Sequence, residues 1–357
     1  MVLNKNILVG LLLSGSMLCS LSGQAGNEDR AGSAGSTELN INPWARSAGW
    51  GMAGMSSMNG LESMFSNMAG LAYTKGTEIA FCRSNWLGQA SGIGLNAFGF
   101  AQKLGETGAL GISLSSFNYG DIQITTTELP EGGLGTYSPS SMNIALGYAK
   151  KFSPTISGGL SVKVISTQMT NVRTQGVALD AGIRYVTGEN EQIKFGISLR
   201  NVGPPMSFKG DGLAIEMQNL DTELLLTTEQ RAASYELPSQ LNIGASYDFI
   251  FSEKSTLVAA LTYTSNSFTR DQWRLGVEYK LKSEKVHFIL RGGYVYESDI
   301  FSADNRATAL TGPAGGLSVD FPVGENGTAI GLDYAVRTSA LGFIHTVGAK
   351  INIGGGE

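Results

Sequence analysis

The sequence offers two histidines, His287 and His345, and two cysteines, Cys19 and Cys82. A metal centre needs several nitrogen, sulfur or carboxylate ligands at close spacing, and neither histidine has such neighbours. No G-x-S-x-G nucleophile elbow occurs, so catalysis is not indicated and no cofactor or metal is expected. Asp211-Gly212 and Asp304-Asn305 contain oxygen ligands suited to Ca²⁺, but ordinary turn chemistry accounts for them better. Asn326-Gly327-Thr328 has the letters of a glycosylation sequon and the position of a tight turn. The side chains that stand out serve contact rather than bond-making. Met52, Met55, Met58, Met64 and Met68 are interleaved with Gly49, Gly51, Gly54, Gly60 and Gly70. Methionine is adaptable apolar surface, suited to holding a lipid or greasy peptide and, as the weightier reading, to filling gaps against a wall.

The stretch that carries them, residues 41–75, is too apolar for a solvated linker and too rich in Gly, Ala and Ser to make a core alone. What precedes it reads as export and spacing. Lys5, the apolar run Ile7 to Leu13 and the small residues before position 26 form a signal peptide over 1–25, and 26–40 reads as a flexible tether. Export removes Cys19 and leaves Cys82 without a disulfide partner. A net charge of −5 offers no basic face, so nucleic acid is not an expected partner.

From residue 76 onwards the period is two. Ile193, Phe195, Ile197 and Leu199 alternate with Lys194, Gly196, Ser198 and Arg200; Trp273, Leu275, Val277 and Tyr279 alternate with Arg274, Gly276, Glu278 and Lys280. Such runs are strands with one apolar face. They fall near 77–87, 93–103, 107–118, 140–152, 155–168, 173–186, 191–203, 238–250, 255–266, 270–282, 285–297, 310–321, 327–338 and 341–353, fourteen in all. Connections after even-numbered strands are short and polar, whereas those after the third and seventh are long and the one after the eleventh is intermediate. Loops sorted by parity mark a barrel with tight periplasmic turns and larger outer loops. The expected fold is therefore all-β: a 14-stranded antiparallel transmembrane barrel over 76–357, with 41–75 as a hatch in its lumen. The alternate face, mostly Gly, Ser, Thr, Asn and Ala, suits a crowded lumen. Aromatic residues near strand ends, among them Trp86, Phe117, Phe152, Tyr185, Trp273 and Tyr296, are expected at the bilayer interfaces. Arg46 is expected to pair with a lumen carboxylate such as Asp320 or Asp333.

The hatch resembles the N-terminal signature of the FadL-like outer-membrane superfamily, and more closely its PorV/PorQ branch. Ala45, Arg46, Gly51 and Gly54 carry the likeness, followed by Asn67, Ala69, Gly70 and Leu71 of an Asn-Pro-Ala-Gly-Leu type motif; Met68 replaces its proline. Arg200, Asn201, Gly203 and Pro204, with Phe208 beyond, look like the RN-[LIV]-GP element of PorV-type proteins. The resemblance implies an accessory barrel of type IX protein secretion in the outer membrane. Its implied partners are membrane lipid, a large translocon subunit, attachment-complex subunits and cargo C-terminal domains. Contacts are expected at the outer rim, including Leu129 and Leu134. The alternative is a FadL-like transporter of long-chain fatty acids or other compounds, with a hydrophobic ligand.

Overall fold

The computed structural model describes residues 28–86, 92–218, 225–302, 305–323, 327–340 and 342–354. The expected signal peptide, Asp304, Asn326 and residues 220–224 of the β7–β8 loop lie outside them. Fourteen strands close a barrel in sequence order: β1 Thr77–Asn85, β2 Gly94–Leu104, β3 Gly108–Asn118, β4 Ser140–Lys151, β5 Ile156–Met169, β6 Val172–Thr187, β7 Ile193–Val202, β8 Gln240–Ser252, β9 Ser255–Asn266, β10 Gln272–Lys282, β11 His287–Glu297, β12 Gly312–Val323, β13 Thr328–Ser339 and β14 Gly342–Ile353. Every neighbouring pair is antiparallel, and the ring closes where Thr77 to Asn85 of β1 pair with Ile353 to His345 of β14. Closure leaves no unpaired edge, as a lipid environment requires.

The strands are inside out relative to a soluble protein. On β5, Leu160, Val162 and Val164 are exposed, while Ser161, Lys163 and Ile165 between them are buried. The same alternation turns Ile183, Ile197, Leu275, Leu332 and Val347 outward and Asp180, Arg184, Glu278 and Asp333 inward. Large aliphatic side chains facing out around a closed sheet fit a hydrocarbon solvent, where strand residues alternate lipid-facing and lumen-facing. Long connections, 119–139, 203–239 and 298–311, gather at one end, taken here as the outer end.

Two expectations about the wall change. Phe152, Tyr185, Trp273 and Tyr296 do face outward. Trp86 and Phe117 instead turn inward and pack edge-to-face, with ring centroids 5.6 Å apart, in a cluster with Leu95 and Ile344. Strand-end position made them look interfacial, but their parity is that of the lumen face.

Candidate functional site

Residues 41–75 fill the lumen. A short helix, α1 (Ala45–Gly49), is followed by a turn and two 3₁₀ segments, Leu61–Phe65 and Met68–Tyr73. Trp44 and Trp50 are fully buried, and so, nearly, are Met55, Met58, Met64 and Met68. The barrel makes room with glycine. A methyl group added at Gly111 of β3 would lie 2.6 Å from Met64 Sδ, and one at Gly244 of β8 2.6 Å from Met55 Sδ. At Gly49, a Cβ would lie 2.8 Å from the Gly316 Cα of β12, so backbone meets backbone there. Gly99 faces Leu61, Gly147 faces Met64 and Met68, Gly159 faces Met68, and Gly276 and Gly293 face Trp50. Adding Cys82 of β1 and Ala335 of β13, which cluster with Ala45 and Ala48, Gly348 of β14 beside Ala45, and Gly182 and Gly196 beside Asn67, leaves β9, where Thr262 Oγ1 donates to Ala53 O at 2.7 Å. The hatch thus touches all fourteen strands.

Polar groups lock this seat. Arg46 meets Glu278 of β10 through two parallel bonds, Nε to Oε2 at 3.0 Å and Nη2 to Oε1 at 2.9 Å. The partner is Glu278 and not Asp320 or Asp333, because Lys350 binds Asp320 at 3.1 Å and reaches Asp333 at 3.8 Å. Glu278 also accepts from Arg291 Nε at 2.6 Å, and Arg291 continues to Ser318 at 2.5 Å. Glu78 of β1 accepts the Leu61 N–H at 2.7 Å. Asn67 explains its place in the motif: Oδ1 caps the Ala69 N–H at 3.0 Å, while Nδ2 donates to the Ile183 carbonyl of β6 at 3.0 Å. A methyl group at Gly70 would lie 2.6 Å from Ser63 Cβ, and Leu71 is fully buried. A Cβ at Gly54 would collide with the Trp50 ring, and Gly51 adopts φ 59° beside Tyr294.

Glu62 is buried and its Oε2 has no hydrogen-bond partner. Burial, and then the neighbouring Asp333, push its carboxyl up to about 7, with Lys350, Arg46 and Arg291 opposing. It faces a cavity of about 260 Å³ at the short-turn end, lined also by Arg46, Tyr73, Glu78 and Lys350.

On the outer side the expected tether is docked. Leu39 is buried with Ile165, Ala178, Met206 and Leu237, and Arg30 pairs with Glu236 at 2.6 Å and lies 4.2 Å from the Phe268 ring centre. This segment is held by the RNVGP element. The β6–β7 register shifts between Leu179↔Val202 and Ala181↔Leu199, so Arg200 and Asn201 together oppose Asp180. That bulge puts Asn201 at φ 58°, where asparagine is among the better tolerated residues. Its N–H donates to Asp180 Oδ1 at 2.8 Å, its Nδ2 to Pro238 O at 3.1 Å and Asn40 Oδ1 at 3.0 Å, and its Oδ1 accepts from Lys163 at 2.8 Å. Lys163 binds Asp180 at 2.5 Å, and Arg200 donates to Leu39 O at 3.3 Å. Arg200 and Asn201 are therefore buried inside the wall, not presented to a partner; a polar pair ahead of Gly-Pro looked like a rim, but Arg200 keeps the inward parity of its strand and the bulge turns Asn201 inward beside it. Gly203 and Pro204 are exposed, as are Leu129 and Leu134, and Phe208 lies tilted against Tyr235 with ring centroids 5.9 Å apart.

The alternation places Lys163, Lys194, Arg200, Arg274, Glu278 and Asp333 on the lumen face without joining them. It missed Glu62, Glu78, Arg184 and Asp180 as hatch and bulge partners; inward parity was the available signal for the strand residues. His345 sits on the outward face, its Nδ1 2.7 Å from the Tyr334 hydroxyl.

No family model matches the chain, and no curated protein does. Solved structures do. The CymD monoaromatic hydrocarbon channel superposes with a TM-score of 0.56 at 14% identity, over 88% of this chain and 97% of that one. A Pseudomonas aeruginosa FadL homologue gives 0.55 at 12%, over 87% and 98%, and the Pseudomonas putida toluene transporter TodX 0.53 at 11%, over 87% and 97%. The fold is that of the FadL-like outer-membrane barrels. At such identities the likeness concerns architecture. Within a FadL-like barrel, a plug seated on every strand means that a solute crossing by the lumen has to displace or loosen the hatch.

Proposed function

We propose that the chain is a gated outer-membrane channel for small hydrophobic or amphipathic molecules, with residues 41–75 as the gate. The observation that carries this reading is the hatch, seated on all fourteen strands by glycine contacts and a few polar locks, in a fold shared with hydrocarbon channels. Met, Ala and Gly packing is adaptable and therefore reversible at modest cost. The test is a disulfide lock. A Cβ added at Gly348 of β14 would lie 3.6 Å from Ala45 Cβ, within the span a disulfide bridges, so Ala45→Cys with Gly348→Cys, in a Cys82→Ala background that removes the neighbouring native thiol, ties the hatch to β14. Cells carrying the pair should lose uptake of a labelled aromatic hydrocarbon under oxidation and regain it with reductant. Uptake that ignores the lock would exclude a route past the hatch.

A second reading, the PorV/PorQ-like accessory of type IX secretion, is favoured by the outer end. There a hairpin, Ala214–Gln218 paired with Leu225–Glu229, is exposed along its length and sets Met217 opposite Leu226. A groove of about 790 Å³ lies beside it, lined by Phe208, Lys209, Leu213 and Arg231. An exposed apolar hairpin suits partner contact, here a translocon or attachment-complex subunit or a cargo C-terminal domain. Deleting the gene should then block surface delivery of type IX cargo; delivery at the normal level would remove this reading and leave the channel reading intact.

A further inference from the structure

The outer lumen carries two cations that the hatch does not use. Arg274 of β10 and Arg337 of β13 are only 6% and 5% exposed. Arg274 Nη2 donates to Gln272 Oε1 at 3.1 Å, but its Nε has no acceptor. The Arg337 guanidinium lies 5.4 Å from the Trp86 ring centre, and its Nε and Nη1 have no acceptor. Neither arginine forms an ion pair among the described residues. Described carboxylates near this half of the lumen have other partners: Asp180 has Lys163 and Arg200, Glu297 the Thr308 N–H at 2.8 Å and Gln272, and Glu38 has Ser141.

Register places both arginines just above the gate. Arg274 is the next inward-facing residue outward of Gly276, on which Trp50 sits, and Arg337 the next outward of Ala335, which packs with Ala45 and Ala48 of the hatch. Buried guanidinium N–H groups left without acceptors are costly, and two like charges facing one lumen add repulsion. Water supplies hydrogen bonds but no counter-charge. An oxyanion supplies both, in the planar geometry that guanidinium matches.

We propose that Arg274 and Arg337 form a binding site, immediately outward of the hatch, for an oxyanion, either a carboxylate or phosphate head on an entering amphiphile or the free anion. Where the anion is the head of transported solute, the site deepens the channel reading and rests on it. The purified full-length barrel in detergent is titrated calorimetrically with benzoate, hexanoate and inorganic phosphate, and with the neutral benzamide and hexanamide. The acids should bind at least about tenfold more tightly than their amides, as charge-assisted bonds require. Arg274→Gln with Arg337→Gln should abolish that preference, and Arg274→Lys with Arg337→Lys should retain part of it. Phosphate binding as tightly as the organic acids would assign the site to free oxyanions; organic acids alone would assign it to an amphiphile head. Equal binding of acid and amide, or a preference that survives the double glutamine variant, overturns the proposal. Heat-modifiable migration on gels shows whether each variant is folded. Acid preference without lock-sensitive uptake would remove the channel reading alone, and lock-sensitive uptake without acid preference would remove the anion site alone.

Discussion

Along the arc from β10 to β14, the two sides of the hatch treat charge differently. Inward, Glu278 is shared by Arg46 and Arg291, and Lys350 lies between Asp320 and Asp333. Outward, Arg274 and Arg337 rise from the same strands with no carboxylate paired to them among the described residues. Paired charge on one side holds the hatch down, whereas unpaired charge on the other stays available to whatever enters. The contrast teaches that burial alone does not tell a structural ion from a functional one; the completeness of its partners does.

The most damaging way to test this contrast is to break the inward side. Glu278→Gln should destabilise the folded barrel by about 3–5 kcal/mol, because Arg46 and Arg291 remain buried without their shared anion; the thermal unfolding midpoint followed by circular dichroism checks it. Next comes Glu62. Its carboxyl is neutral up to about 7 in the seated hatch but ionises near 4.5 when freed. The stability it adds is present below 4.5 and is lost as pH rises to 7, by roughly 1.4 kcal/mol per unit. Protease protection of the hatch should fall over that window, and Glu62→Gln should flatten the profile. A smaller effect is expected at the wall: Gly111→Ala collides with Met64 and Leu71 and should cost about 1–3 kcal/mol, read as faster proteolysis of residues 41–75. The smallest belongs to the outward side. Arg274→Gln and Arg337→Gln should change the unfolding free energy by no more than about 1 kcal/mol, in the stabilising direction, since each removes a buried cation without a partner. A loss as large as that of Glu278→Gln would erase the distinction between the two sides.

The barrel was legible because a strand's two faces are written by parity: Ile193 to Arg200 alternate so regularly that strand, register and lumen side follow together. The hatch was legible as a filler for a different reason, since a run of Met, Gly and Ala has no other way to be both apolar and unable to fold alone. Which atoms meet was not legible. Arg46 faces Glu278 instead of Asp320 because barrel tilt and the path of α1 set its height, and neither has a local signature. Arg200 is inward by the strand's own alternation, but Asn201 turns inward beside it because a one-residue bulge resets parity, and Trp86 shows that a strand-end aromatic needs its face known before its depth.

The seam between β1 and β14 joins the two ends of the chain, with the plug already inside and the residues before it emerging at the opposite mouth from the start of β1. A segment with the bulky Trp44 and Trp50 near its start is hard to thread through a finished ring, so seating is expected to precede closure. The most non-local pairing in the molecule is then expected to be the slowest to form. Variants that loosen the hatch should accordingly show their first defect during biogenesis, as chains stalled before the seam zips, and only later as altered passage through the mature wall.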